Sequence, residues 1–253
     1  MNAIFLLLIP AFVFAQDDPA TAPPPRPVGV KIARPGINGI AGSPPLGGTL
    51  FTYGYSWEQP AAGESLHGMT TFYEHTVHKH ISLVLNTTEP LYRDGKFALG
   101  DTCPGIKFRT AQETRLRPIL AIAYYVKVPF APSGFGTGRY DHKVNVAADK
   151  GIGISRFTAN FNTSFIAQKN GTFLRTYSPS LSAMTRWRQR WGSVLQTYWS
   201  TAGKGYGGFV AAPFIQVNRN FNFFAGGLRN VGACPTRYGI VAGFNYMYRP
   251  HPR

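Results

Sequence analysis

The chain has 253 residues, of which 15% are charged and 14% are aromatic, and its formal net charge is +15. A charged fraction below the ordinary value of about 25%, together with 28 Gly and 19 Phe, favours short strands and turns over helices. The length fits a single large all-β domain. The excess of basic residues suits nucleic acid, an anionic membrane surface or an acidic solute, and does not by itself choose among them.

The N-terminal part predicts export. Residues 4–14 form an apolar core of signal-peptide length that is too short to span a membrane as a helix, and Ala15 follows at a plausible cleavage point. We therefore expect a signal peptide over residues 1–15. Residues 16–48 are rich in Pro, Gly and Ala without periodicity, which predicts an extended or disordered leader.

The remainder, residues 49–249, shows repeated stretches of alternating polar and apolar residues, with a tail at 250–253. The alternation predicts about twelve antiparallel strands. The predicted strands cover residues 49–57, 68–77, 81–88, 100–112, 115–128, 140–150, 155–167, 177–187, 190–200, 207–217, 221–228 and 237–249.

The predicted joins alternate strictly between short ones and longer, glycine-rich ones. This asymmetry is typical of an up-and-down transmembrane β-barrel, with tight periplasmic turns and longer outer loops. A soluble β-sandwich would also alternate, with its apolar faces turned to a core instead of lipid. Aromatic residues near strand ends favour the barrel, since their rings suit a membrane interface. These are Trp57, Tyr124, Tyr125, Trp187, Trp191, Trp199, Tyr246 and Tyr248.

If the more apolar face of each strand is turned outward, the inward face is polar and basic. Charged side chains facing lipid near the midplane would cost roughly 2 to 4 kcal/mol each, so a water-filled lumen is the cheaper place for them. The predicted pore-lining residues are Lys107, Arg109, Arg115, Arg117, Lys127, Lys143, Asn145, Arg156, Asn160, Asn162, Arg186 and Gln196. A basic lumen predicts a preference for anions. Alternatively, some of these cations pair with Asp141, Asp149 or Glu74 and merely close the barrel.

Catalytic and metal-binding motifs are not evident. The glycine run "GFGTG" at residues 134–138 has the wrong spacing for a dinucleotide fingerprint and precedes a predicted strand, so we interpret it as a loop. His75, His78 and His80 fall on both faces of a strand and its turn, which favours a solvated basic turn over a metal site. We expect no enzyme activity and no cofactor.

The two cysteines, Cys103 and Cys234, are too few for a cysteine metal site. Both fall on the outer side of the predicted barrel, and an exported chain is in an oxidising compartment. A disulfide between them is therefore allowed, and it would tie a loop across the mouth.

Four segments together resemble a known family: "GDTCPGIKFR" at 100–109, "ILAIAYYVKVPF" at 119–130, "GFGTGRYDHKVNVAADKGIG" at 134–153 and "TANFNTSF" at 158–165. They resemble the bacterial outer-membrane transporter family assigned to the MetA-pathway of phenol degradation. The resemblance covers about residues 49–248 in arrangement. It implies an outer-membrane barrel that admits small hydrophobic or aromatic compounds.

The sequence therefore predicts a pore for passive uptake of small solutes in a bacterial outer membrane, with aromatic compounds or organic anions as solutes. Outer-membrane lipid and the solute are the expected partners, and nucleic acid is not. Two alternatives stay open: a non-conducting structural or adhesive barrel, and a secreted β-sandwich that binds anionic ligands.

Overall fold

The structure is a computed structural model that describes residues 41–60, 65–93, 96–111, 113–132, 138–168, 170–201, 205–233 and 236–250. The predicted signal peptide and residues 16–40 of the predicted leader lie outside these ranges. The strands are β1 (Thr49–Pro60), β2 (Leu66–His78), β3 (Ile81–Arg93), β4 (Lys96–Ala98), β5 (Thr102–Ala111), β6 (Ile119–Lys127), β7 (Asp141–Ile152), β8 (Ser155–Ala167), β9 (Phe173–Arg186), β10 (Trp191–Ser200), β11 (Tyr206–Gln216), β12 (Phe221–Gly232) and β13 (Thr236–Tyr248).

The strands form one closed antiparallel barrel. Each long strand pairs with its neighbours along the chain, and β1 pairs with both β2 and β13, so the first and last strands close the wall. β4 is a three-residue strand that pairs only with the end of β3, which leaves twelve strands in the wall. The prediction of a twelve-stranded barrel is confirmed, and the β-sandwich alternative is wrong. Within the described ranges, no helix is long and apolar enough to cross a membrane.

The alternating sequence places polar side chains inward and apolar ones outward along most of the wall, whereas β10, β11 and β12 turn Val194, Phe214 and Phe224 inward as a buried apolar cluster. In β8, Thr158, Asn160 and Asn162 are buried inside the barrel, whereas Phe161 is 47% exposed on the outer surface. Successive strand side chains point to opposite faces, so this two-residue period is enough to sort them. The outward face of the barrel is correspondingly apolar, as the lipid-facing wall of an outer-membrane barrel requires.

Both described ends of the barrel wall, Thr49 and Tyr248, lie at the rim that carries the turns at 79–80, 153–154, 187–190 and 217–220. Outer-membrane barrels turn their short connections to the periplasm, so we call this rim the inner mouth and the opposite one the outer mouth. The predicted strict alternation of joins is wrong in two places. The inner join at 112–118 is long, and the outer join at 233–235 is short.

The inner join is long because β6 begins at Ile119 and not at residue 115. Thr114 and Arg117 close a turn in which the Thr114 amide donates to the Arg117 carbonyl at 3.0 Å. The Arg117 amide in turn donates to the Thr114 hydroxyl at 3.0 Å. Pro118 follows and has no amide hydrogen for a ladder. Arg115 and Arg117 are therefore exposed at the inner mouth and do not lie on a wall strand.

Aromatic side chains gather near both rims on the outward face. Tyr246 and Trp191 lie near the inner mouth, while Trp57 and Tyr238 contact each other near the outer mouth, with ring centroids 6.0 Å apart. This matches the two aromatic girdles of outer-membrane barrels. Tyr125 is an exception to the prediction, because its ring is buried inside the barrel and its neighbour Tyr124 faces outward.

Candidate functional site: the barrel lumen

The inward side chains at mid-height of the lumen are closely packed. Inward residues of mid-barrel are almost inaccessible to water; Gln196 and Asn162 are each 1% exposed. A wide water-filled bore would leave such side chains wet, so the lumen of this structure is more closed than the sequence predicts. The physical reason is size: eight strands enclose only enough space for side chains, and twelve enclose modestly more.

At the outer mouth, a buried cation lies between two carboxylates. Lys127 Nζ lies 2.5 Å from Asp141 Oδ2 and 3.4 Å from Asp101 Oδ2. The same carboxylates accept backbone amides, Asp101 from Ala131 at 3.0 Å and Asp141 from Ala167 at 2.9 Å. The group therefore attaches the loop after β6 and the end of β8 to the wall.

At mid-height, amide side chains form a ladder across β7, β8 and β9. Asn145 Nδ2 donates to Asn162 Oδ1 at 3.0 Å and to Asn160 Oδ1 at 3.4 Å. Asn162 Nδ2 then donates to the Ser178 carbonyl at 3.2 Å. The predicted lumen residues Asn145, Asn160 and Asn162 thus lie together on the inward face and satisfy one another. Lys143 also faces inward, with its ammonium 5.7 Å from the centre of the Tyr125 ring, a cation–π distance.

Near the inner mouth, a second buried pair joins β2 and β5. Lys107 Nζ lies 2.9 Å from Glu74 Oε1 and donates to Glu74 Oε2 at 3.0 Å. Both side chains are nearly inaccessible to water. The alternative in which lumen cations pair with Glu74 and Asp141 is therefore what the structure shows for Lys107 and Lys127.

Closer to the inner rim, Glu113 gathers two basic residues. Arg156 Nη2 donates to Glu113 Oε2 at 3.1 Å, and Lys150 Nζ lies 3.5 Å from Glu113 Oε1. The Gly151 amide donates to Glu113 Oε1 at 2.6 Å and, with these cations, lowers the pKa of the Glu113 carboxyl. Arg156 Nη1 also lies 3.9 Å from Asp149 Oδ2.

The remaining predicted cations lie at the inner rim. Arg109 Nη2 donates to the Lys79 carbonyl at 2.6 Å, and Arg186 is exposed at the end of β9. Exposed basic residues occupy the turns around this rim, and we call them the basic rim. Its members are Lys79, Arg115, Arg117, Arg186, Arg188, Arg190, Arg219 and Arg249.

A short N-terminal segment enters the lumen at the inner mouth, which the sequence does not predict. Ala41 is fully buried and packs against Ala121 and Ala147. The Gly42 amide donates to Asp149 Oδ2 at 2.9 Å, and Lys107 Nζ donates to the Gly42 carbonyl at 2.5 Å. The described end of the predicted leader thus lies inside the lumen.

The histidines and cysteines can be placed only in part. His75 Nδ1 lies 2.9 Å from the Thr49 hydroxyl, while the rings of His78 and His80 contact each other at the inner turn. Within the part of the chain that the structure describes, no three His, Cys, Asp or Glu residues are grouped as metal ligands. Cys103 is buried and faces inward on β5, but Cys234 lies outside the described residues, so the disulfide stays a prediction.

Comparisons with known proteins support the fold. The chain is similar to the crystal structure of an outer membrane channel from Pseudomonas putida F1, with 11% identity, a TM-score of 0.65, and coverage of 86% of this chain and 100% of that one. It is also similar to the NanC porin, with 7% identity, a TM-score of 0.57, and coverage of 78% and 98%. At these identities, the likeness shows the barrel fold alone.

No family model matches the chain. No curated protein matches it either. The resemblance to the MetA-pathway transporter family therefore stays a prediction.

Proposed function

We propose that this chain is an outer-membrane pore for passive passage of small organic solutes. The observation that carries the proposal is the run of polar side chains along the inward face of β7, β8 and β9, in a closed barrel whose outward face is apolar. Fixed hydrogen-bonding groups such as Asn145, Asn160 and Gln196 are what a path for polar solutes needs. A barrel with only a structural role could be filled on this side too with apolar side chains, like the cluster of Val194, Phe214 and Phe224 on the opposite wall, because buried polar groups must be paired.

The preference for anions is better assigned to the basic rim than to the bore. Inside, Lys107 and Lys127 are neutralised by Glu74, Asp101 and Asp141. At the inner mouth, the basic rim carries eight exposed cations. The join at 112–118 contributes one carboxylate there, that of Glu113. A ring of fixed positive charge raises the local concentration of anions and lowers that of cations. Aromatic carboxylates combine the two solute classes that the sequence suggests, and we propose them as substrates.

Planar-bilayer recordings test the pore. We expect discrete conductance steps, and in a salt gradient a reversal potential that shows anion preference. Proteoliposome uptake of benzoate, compared with uncharged benzyl alcohol and cationic benzylamine, then tests the solute class. Silence in repeated bilayer trials with correctly folded protein would overturn the proposal.

The burial of the mid-lumen side chains favours a second candidate, a non-conducting barrel with a role in the envelope. Val194, Val210 and Gln196 are each 1% exposed, so the described conformation leaves little free space at their level. The same recordings separate the two candidates. In neither case do we propose catalysis, and heat-modifiable migration in detergent gels would verify that the protein used is a folded barrel.

A further inference from the structure

We infer that residues 41–48 form a tethered plug that closes the inner mouth and must leave it for the pore to open. This inference rests on the proposed pore function and adds to it a mechanism of gating by the chain's own N-terminal segment. The segment reads "AGSPPLGG" and carries no charge. Its seat in the lumen is built from contacts of three kinds.

The first is a turn that directs the chain back into the barrel. The backbones of β1 and β2 stay paired beyond Thr49, since the Gly47 amide donates to the Thr76 carbonyl at 2.8 Å and the Thr76 amide to the Gly48 carbonyl at 3.0 Å. The Gly48 amide also donates to the Pro45 carbonyl at 2.7 Å. Gly47 has φ +70°, a left-handed conformation that favours glycine. The chain before this turn therefore runs into the lumen and not away from the rim.

The second is recognition of one peptide unit by opposite charges. Asp149 on β7 accepts the Gly42 amide, and Lys107 on β5 donates to the Gly42 carbonyl. Both protein groups are almost fully buried. A buried backbone amide and carbonyl need partners, and here each meets a charged one, which makes the stronger kind of hydrogen bond.

The third is a fit between small side chains. Ala41 lies against Ala121 on β6 and Ala147 on β7, and each of the three is at most 2% exposed. A larger residue at position 121 or 147 would occupy the space that the segment takes. At Pro44, the carbonyl accepts the Thr76 hydroxyl at 2.9 Å, which adds a fifth hydrogen bond between the segment and the wall.

The departure of Gly42 removes no ion-pair partner from Lys107 or from Asp149, whose nearest cation is Arg156 at 3.9 Å. Lys107 keeps both carboxylate oxygens of Glu74, and Asp149 keeps Arg156, when Gly42 departs. Removing one partner from a buried ion pair is strongly destabilising, but the departing group here is neutral. The segment is thus held by hydrogen bonds and packing that a conformational change can exchange for water, which is what a reversible plug requires.

Cysteine labelling of the full-length protein tests the seat without relying on conductance. In a Cys103→Ser, Cys234→Ser background, Ala41→Cys should react with a water-soluble methanethiosulfonate at least about tenfold more slowly than Leu46→Cys, whose native side chain is 59% exposed. Equal rates at the two positions in folded, heat-modifiable protein would overturn the plug.

A matched pair of wall variants then tests gating. Thr76→Val removes the hydroxyl that reaches Pro44 but keeps the shape of the side chain, whereas Ser82→Ala removes the other partner of that hydroxyl, at 3.1 Å, and leaves the segment untouched. Thr76→Val should speed labelling at position 41 about fivefold, the worth of one hydrogen bond, and raise open probability in parallel. Ser82→Ala should change neither.

The outcomes separate the plug from the pore. If the wild type and Thr76→Val conduct identically while labelling differs, gating is overturned and the pore stands. If no variant conducts, the proposed pore is overturned and the gate with it. Faster labelling together with higher open probability in Thr76→Val alone supports the inference.

Discussion

Lys127 Nζ lies 2.5 Å from Asp141 Oδ2, with the lysine side chain 1% and the aspartate side chain 4% exposed. Asp101 approaches the same ammonium from β5's outer end. One cation thus pairs with two buried carboxylates, and each carboxylate also accepts a backbone amide. Lys127 therefore stabilises the structure of the outer mouth, and its charge is already paired and does not act on a passing solute.

Lys127→Met should lower the free energy of unfolding by about 3 to 5 kcal/mol, because it leaves two carboxylates buried without their cation. Urea titration of the folded barrel in detergent micelles or lipid vesicles, followed by tryptophan fluorescence and gel mobility, measures the loss.

The triple variant Lys127→Met, Asp101→Asn, Asp141→Asn is the matched control, since it removes all three charges and keeps hydrogen-bonding oxygens for the Ala131 and Ala167 amides. We expect it to recover most of the stability. A Lys127→Met protein as stable as the wild type would show that the pair contributes no net stability.

The strand count and the sorting of faces could be predicted from the sequence because both depend on a local period of two. In β8, the alternation of Phe161 with Asn160 and Asn162 is visible without any knowledge of neighbours. The extra strand β4 and the extension of β3 to Arg93 could not be predicted, since their pairing involves an outer loop with no clear alternation.

Two local predictions were wrong, one for a tyrosine and one for the start of a strand. Tyr125 was assigned to the membrane interface with Tyr124, although it shares the inward face with Lys127 two residues later, and the register of β6 against β7 then places it beside Lys143. The stretch from Arg115 to Ile119 alternates like a strand, but the turn closed by Thr114 and Arg117 takes precedence. Local patterns do not reveal such a turn.

The sequence predicted which residues face the lumen, but it did not predict which of their side chains contact one another. The inward positions of Lys107, Lys127 and Asn145 follow from the alternation, and acidic partners were available on the same faces. Which acid meets which base depends on strand register and on positions such as Asp101 in a loop. The entry of Ala41 and Gly42 into the lumen depends on non-local packing, so "AGSPPLGG" gives no periodic signal for it.

The contacts of Glu113 at the inner mouth predict that the stability of the protein decreases in acid. Its pKa is lowered in the folded protein, first by the Gly151 amide and then by Arg156 and Lys150, so its contribution to stability is fully present above the unfolded value of about 4.3. That contribution is lost as the pH falls through the lower folded pKa. Unfolding titrations between about pH 6 and pH 3 should therefore show a steeper loss of stability in wild type than in Glu113→Gln.

Arg115→Gln is the control for this titration, because it removes a charge from the same join, which closes by backbone and Thr114 contacts. It should keep the wild-type dependence on pH. If the free energy of unfolding falls equally with decreasing pH in the wild type and in Glu113→Gln, the Glu113 carboxylate does not stabilise the protein in this way.

The predicted disulfide has a direct chemical test. Cys103 is buried at the outer end of β5, so alkylation should be done on denatured protein. If Cys103 and Cys234 are bonded, unreduced denatured protein takes up no alkyl group and reduced protein takes up two. Two alkyl groups added without reduction would rule the disulfide out. In that case, the Cys103→Ser variant should take up one alkyl group.

Charge reversal at the basic rim tests where anion preference arises. Arg115 and Arg117 are exposed beside the inner mouth, so Arg115→Glu with Arg117→Glu should shift the reversal potential toward cations in a 0.1 M salt gradient. Because exposed charges are screened, with a Debye length of about 10 Å at 0.1 M and 3 Å at 1 M, the shift should shrink at high salt. Leu116→Gln, between them and 88% exposed in the native chain, is the uncharged control.

A shift of the reversal potential that persists at 1 M salt would instead indicate that Arg115 and Arg117 contact the solute inside a narrow path. No shift at either salt concentration would assign the anion preference to charges elsewhere in the barrel.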